Sequence, residues 1–180
     1  LGRLHDTLVV FTSDHGDMLG DHWLGEKEMF YDASARVPLI VVDPTSQARG
    51  QVHEGLVEAI DLLPTFVDAL GLPAGSPWLE GRSLMDVVRG RESPERDCVF
   101  SELDYAFYDA RRHLGVGVND ARAIMARTRR WKYVRFEGFA PLLYDMQADP
   151  QELADLGADP ALAAVRADME ARIAAWRTRL

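Results

Sequence analysis

The run Thr7-Leu8-Val9-Val10-Phe11-Thr12 is apolar on both faces that a strand alternates between, and it stops abruptly at Ser13-Asp14-His15-Gly16. β-Branched and aromatic residues without polar alternation suit a strand covered on both sides, the habit of parallel sheets in α/β proteins. In such sheets ligand sites lie beyond the carboxyl ends of the strands, so the polar quartet falls where chemistry is expected. A second run of the same kind, Val37-Pro38-Leu39-Ile40-Val41-Val42, follows, with Pro38 tolerable at a strand entry or edge. The residues between the two runs must form an active loop or a crossover.

Residues 43–50 read as a loop, and Ile60, Leu63, Phe66, Val67 and Leu70 then recur at helical spacing, with Asp61 as N-cap, Pro64 early and Gly71 as the stop. Pro73, Gly75, Pro77 and Gly81 punctuate a long surface loop, and a short helix from Ser83 to Val88 leads out of it. Arg89 to Arg96 is the most linker-like stretch. The domain boundary is set there, with 1–92 as the carboxyl-terminal part of an α/β domain and 93–180 as an α+β subdomain. In the second part Cys98–Leu103, Ala121–Arg127, Trp131–Phe136 and Leu142–Asp145 predict a small antiparallel sheet, with Thr128-Arg129-Arg130 as a hairpin connection. Leu162, Val165, Met169, Ile173, Trp176 and Leu180 form the apolar stripe of an amphipathic helix opened by Asp159 and Pro160, and the sheet is expected to receive it.

Composition removes several function classes. With 180 residues, 47% apolar and 27% charged, the chain is too apolar to be disordered. Its one cysteine, Cys98, excludes an internal disulfide, a zinc finger or an iron–sulfur quartet, and fits a reducing, cytoplasmic setting. Cys98 lies on an apolar strand and reads as a small buried hydrophobe with no catalytic role. The net charge of −9 makes nucleic acid a poor partner. The one basic run, Arg127, Arg129, Arg130, Lys132 and Arg135, is better read as strand alternation. Trp131, Tyr133 and Arg135 then share one face and Lys132 and Val134 the other, a half-buried sheet with solvated charges. No apolar run approaches the ~20 residues that span a bilayer, so no membrane partner is expected. The chain starts without Met, close to a strand, and reads as part of a longer protein.

At the first strand's end, Asp14 and His15 can direct a carboxylate oxygen and an imidazole nitrogen to one point, a metal-site geometry. The plainer alternative is a capped turn with a surface histidine. Gly16 permits close backbone approach, and Asp17, Asp21, His22 and Lys27 add charge and a second imidazole to the same connecting segment. The stretch Val10 to His22, with Lys27 and then Ala35 to Val41, resembles the sulfatase family of the alkaline phosphatase superfamily, and among its branches the phosphonate monoester hydrolases and related arylsulfatases. Asp61-Leu62-Leu63-Pro64-Thr65 with Gly71-Leu72, Gly81-Arg82-Ser83-Leu84, Arg130-Trp131-Lys132-Tyr133, Leu143-Tyr144-Asp145 and Asp149-Pro150-Gln151-Glu152 extend the likeness. It covers nearly the whole chain but only the carboxyl-terminal portion of a family member.

The resemblance implies an alkaline-phosphatase-like parallel-sheet domain portion followed by a small antiparallel-sheet-plus-helix subdomain. It implies that Asp14 and His15 bind a divalent metal, that Lys27 contacts the anionic oxygens of the ester, and that the substrate is a small sulfate or phosphonate/phosphate ester. A carboxylate with an imidazole suits Mn, Zn or Fe better than Ca, which prefers an all-oxygen shell. Lys27 can also be read as a solvated surface lysine. His22 either gives a proton or hydrogen bond to the substrate or leaving group, or orients the loop. The family's Cys-x-Pro-x-Arg motif, source of its formylglycine nucleophile, does not occur here. That nucleophile is therefore expected outside this segment, and the segment alone is expected to be inactive. The alternative is a truncated or degenerate, non-catalytic sulfatase-like module. Family members often assemble as homo-oligomers through carboxyl-terminal segments, so the terminal helix either packs on its own subdomain or serves an interface.

Overall fold

A computed structural model describes residues 2–27, 29–73 and 79–178. In chain order it contains β1 (Val9–Thr12), α1 (Asp32–Ala35), β2 (Leu39–Val42), α2 (Leu62–Ala69), α3 (Met85–Val88), β3 (Val99–Asp104), α4 (Asp109–Leu114), β4 (Arg122–Arg127), β5 (Trp131–Phe136), β6 (Leu142–Asp145) and α5 (Ala163–Arg177). Two units result: residues up to Gly16 with Arg36–Arg96, and Asp17–Ala35 with the chain from Asp97 onward. Gly75, Pro77 and Leu180, named above from the sequence, lie outside the described residues. No helix among the described residues is long and apolar enough to cross a membrane.

In the first unit the two apolar runs do form strands, but they pair with each other in antiparallel register, from Val9 opposite Val42 to Thr12 opposite Leu39. The expected parallel pairing needs a crossover, usually a helix. Among the described residues the only α-helix between these strands is the four-residue α1, and it groups with the other unit. Phe11 and Ile40 stand largely exposed, so this chain alone does not supply the two-sided cover that their composition suits.

The helix predicted around residues 60–70 is α2, closed by Gly71 with φ +65° and by Gly71 and Leu72 N–H groups donating to Asp68 O and Val67 O. A left-handed residue at this stop favours glycine. Asp61 does not cap α2 through its side chain. Its carboxylate accepts instead from the Glu58 and Arg82 backbone N–H groups and from both Arg96 guanidinium nitrogens, at 2.6–2.9 Å. Burial opposes ionisation of Asp61, but the Arg96 bonds with the two backbone donors outweigh it and hold the carboxyl below its ordinary value. Thr65 Oγ1 donates to Asp61 O and accepts from Leu84 N–H, and a Cβ on Gly81 would run into the Ile60 carbonyl. The two motifs at 61–65 and 81–84 are therefore one buried joint. The stretch read as a linker ends in that joint at Arg96, and at its start Arg89 pairs with buried Asp43.

In the second unit β3-β4-β5-β6 form an antiparallel sheet in sequence order, with the Thr128–Arg130 hairpin where it was expected. The sheet has a core on each face rather than one. Cys98, Ile124, Ala126, Tyr133 and Leu143 pack with Met169 and Ile173 of α5 on one side, and Ala123, Met125 and Val134 pack with Phe30, Tyr105 and Ala121 on the other. Asp159 accepts from Ala161 N–H and Pro160 opens the turn that leads into α5, whose Trp176 stacks on Phe100 at 5.1 Å. The apolar stripe of α5 is thus used on its own sheet. The expectation of solvated charges on the opposite face is corrected at Lys132, which is 1% exposed. Period-two alternation assigns faces, but here both faces are covered and a charge is held inside by partners. Arg127, Arg130 and Arg135 are also ion-paired, to Asp32, Asp145 and Glu170.

Candidate functional site

Asp14 and His15 follow β1 in the first unit, at the turn where the strand ends. The His15 backbone N–H donates to Asp14 Oδ1 at 3.0 Å, and Ser13 Oγ, whose shorter bond goes to His15 O at 2.7 Å, adds a weaker contact to the same oxygen at 3.2 Å. The His15 N–H is the main cause holding the Asp14 carboxyl below its ordinary value, so it is a carboxylate at neutral pH. His15 Nδ1 lies 2.7 Å from Gly16 O. A carbonyl only accepts, so Nδ1 is the donor and the lone pair of the neutral ring sits on Nε2. That Nε2 is 3.5 Å from Asp14 Oδ2. Two donors bound to one cation at about 2.0–2.2 Å in tetrahedral geometry stand about 3.3 Å apart. A backbone carbonyl holding Nδ1 is also how metal-binding histidines are commonly oriented. The donor set fits a divalent ion, with two ligands; no cluster of three or more His, Cys, Asp or Glu side chains occurs among the described residues.

His22 and Lys27 belong to the second unit, on a loop with unusual backbone. Leu19, His22, Trp23, Glu26 and Met29 all have φ between +48° and +72°, and Gly20 has φ +101°. Non-glycine residues in this region are strained, and such strain concentrates at functional sites. The loop is cross-braced: Met18 N–H donates to Glu26 O, Gly20 N–H to Leu24 O and Leu19 N–H to Asp17 Oδ1, while the Met18 side chain is fully buried. Trp23 and Leu19 are turned outward.

His22 stacks on Tyr31 with ring centroids 3.8 Å apart and planes 15° from parallel. Its Nε2 donates to Gln151 O at 3.1 Å, which leaves the Nδ1 lone pair of the neutral ring uncommitted by that bond. Lys27 is exposed, and no hydrogen bond or ion pair ties its ammonium to a described residue. The structure thus brings Asp14 and His15 together in one unit and places His22 and Lys27 on one braced loop of the other. Tyr105 is a core residue whose hydroxyl donates to Glu137 O, and Phe107 is exposed.

Sequence reasoning missed the group beneath this loop. Lys132 Nζ donates to Phe30 O at 2.9 Å and to Asp32, and lies 2.6 Å from Glu152 Oε1; Glu152 Oε2 accepts the Asp32 N–H at 2.6 Å. Lys132 and Glu152 both stood in motifs that carry the family likeness, yet alternation sent Lys132 to solvent and spacing gave Glu152 no partner.

Residues 20–179 match the family described as N-sulphoglucosamine sulphohydrolase, C-terminal. The multifunctional alkaline phosphatase superfamily protein PehA of Trinickia caryophylli is 36% identical over 181 residues, covering 98% of this chain and 35% of its own length. Arylsulfatase K of Bos taurus is 35% identical over 161 residues, covering 88% of this chain and 29% of its own. The crystal structure of the phosphonate monoester hydrolase of Agrobacterium radiobacter superposes with a TM-score of 0.91 at 39% identity, over 99% of this chain and 36% of that one. This chain spans about a third of the length of these relatives. It belongs to the sulfatase family of the alkaline phosphatase superfamily, whose carboxyl-terminal portion it matches.

Proposed function

We propose that this chain is the carboxyl-terminal portion of a metal-dependent hydrolase of sulfate or phosphonate/phosphate esters, of phosphonate monoester hydrolase or arylsulfatase type. The observation that carries the reading is the His15 Nδ1 to Gly16 O bond, which aims an unprotonated Nε2 at the same space as Asp14 Oδ2. In the whole enzyme Asp14 and His15 hold a divalent ion, with Mn, Zn or Fe preferred by the mixed nitrogen and oxygen donors. A catalytic site of this kind usually has three protein ligands, so at least one more comes from residues beyond this chain, as does the formylglycine nucleophile. When bound, the ion supplies Lewis-acid polarisation of the ester oxygens.

This chain's own residues do three things in that reading. Ser13 Oγ and the His15 N–H keep the Asp14 carboxylate oriented and ionised. Lys27, uncommitted to any described residue, neutralises charge on the non-bridging oxygens of the ester as it builds. His22, held by Tyr31 and the Gln151 carbonyl, gives a hydrogen bond or a proton from Nδ1 to the substrate or leaving group when its ring is protonated, since the ester's oxygens only accept. In this reading the ester is a small molecule and the setting is cytoplasmic, which the one free cysteine of this chain fits.

The test uses the full-length protein. His15→Ala and Asp14→Asn are each expected to lower bound metal by tenfold or more and to abolish hydrolysis of an aryl sulfate and an aryl phosphonate monoester, with the fold intact by circular dichroism. Loss of a second-sphere group alone costs about 10–100-fold in affinity, so loss of a ligand should cost at least that. Full metal content and turnover in either variant would contradict the reading, and a wild-type full-length protein without turnover would favour the non-catalytic module.

A further inference from the structure

The buried group under the loop of His22 and Lys27 has a function that stability does not explain. Lys132, on β5, reaches Phe30 O and Asp32 Oδ1, 102 and 100 positions away in sequence, and Glu152 Oε1, twenty positions further on. Arg127 Nη2 stands 3.8 Å from Asp32 Oδ2, so two cations meet two carboxylates and the charges balance. A buried ionic group of this kind contributes little net stability, because desolvation offsets the attraction, and apolar residues often replace one without loss. What it does provide is position. Tyr31, the residue on which His22 stacks, lies between the two residues that Lys132 grips. Gln151, whose carbonyl accepts from His22, precedes Glu152, itself held at φ +58°. Both contacts of His22 are thus flanked by the same clamp. The loop's other end is pinned by the buried Met18 side chain.

We propose that Lys132 and Glu152 are positioning residues, which clamp Phe30 and Asp32 so that the strained loop presents His22 and Lys27 in the geometry an anionic ester requires. The inference rests on the reading of Lys27 as an oxygen-binding cation. Neither Lys132 nor Glu152 touches the ester. Lys132→Met leaves Asp32 and Glu152 with Arg127 as the one remaining cation, 3.8 Å from Asp32 alone, and the unbalanced repulsion pushes residues 30–32 off the turn at 149–152 and carries the loop with them.

The test is a double-mutant cycle in the full-length enzyme, with kcat and KM measured on an aryl sulfate and an aryl phosphonate monoester for Lys27→Ala, Lys132→Met and the pair. Misplacing a reacting group by about 1 Å costs about 100-fold. Lys132→Met is expected to lower kcat/KM by about that factor, with bound metal unchanged, and by no more than about tenfold when Lys27 is already alanine, where only His22 is left to displace. A role in stability alone would give the same fold-loss in both backgrounds and follow the fraction folded. That result, or wild-type kcat/KM in Lys132→Met beside an impaired Lys27→Ala, overturns the inference while leaving the reading of Lys27 intact. Wild-type kcat/KM in Lys27→Ala overturns that reading and the inference with it. Should Lys132→Met fail to fold, Glu152→Gln, which keeps the side chain's shape and removes its charge, enters the same cycle with the same expected pattern.

Discussion

Asp61 shows at the scale of a single residue how a motif is held in place. It is 1% exposed and accepts four hydrogen bonds, two of them from Arg96. Removing one partner of a buried pair leaves an uncompensated charge, at about 3–5 kcal/mol. Arg96→Met is therefore expected to lower the unfolding free energy by about that amount, read from urea unfolding midpoints of the purified protein; a change under about 1 kcal/mol would contradict this account. The pH dependence has a definite sign. The Asp61 pKa is lower in the folded state than in the unfolded one, so its contribution is present above the ordinary carboxylate value of 3.8 and is lost as pH falls below it. Asp61→Asn should flatten the acid side of the stability profile. None of this was legible in the sequence, which marked Asp61 only as a helix N-cap. A cap is decided within three residues, whereas the partner that matters lies 35 residues away.

Elements of the second unit were the most legible part of the chain. The strands at 99–104, 122–127, 131–136 and 142–145 carry strong local signals and formed within a residue of their expected bounds, while the helix expected from Pro160 is observed as Ala163–Arg177. What spacing could not supply was the number of covered faces. The second face is covered by Phe30, far from the sheet in sequence, together with Tyr105 and Ala121 at the ends of β3 and β4. That the sheet receives α5 was foreseen, and the contact can be tested. Ile173 and Met169 are fully buried against Cys98, Ile124 and Leu143. Ile173→Ala is expected to destabilise the protein by about 2–5 kcal/mol in urea unfolding. An effect below about 0.5 kcal/mol, the size usual for a surface change, would mean that α5 does not rest on this sheet. Pairing direction in the first unit was not legible, because a continuous apolar run records that both faces are meant to be covered and says nothing of which strand lies beside it.

Across the whole molecule, the family resemblance was readable from the residues between Val10 and Val41, and the match over residues 20–179 bears it out. The position proposed for the metal, at the end of β1, was read from the strand and its polar quartet. The tautomer of His15 did not, since it depends on where the Gly16 carbonyl points. Nor did the strain between Leu19 and Met29, which arises from five non-glycine residues at positive φ. The central claim is that a carboxylate and an imidazole from this chain grip one divalent ion. X-ray absorption spectroscopy on the metal-loaded, full-length enzyme tests it most directly. The account predicts imidazole scattering from a nitrogen at about 2.0–2.1 Å that disappears in His15→Ala. A metal-loaded His15→Ala enzyme with an unchanged imidazole signal would contradict it.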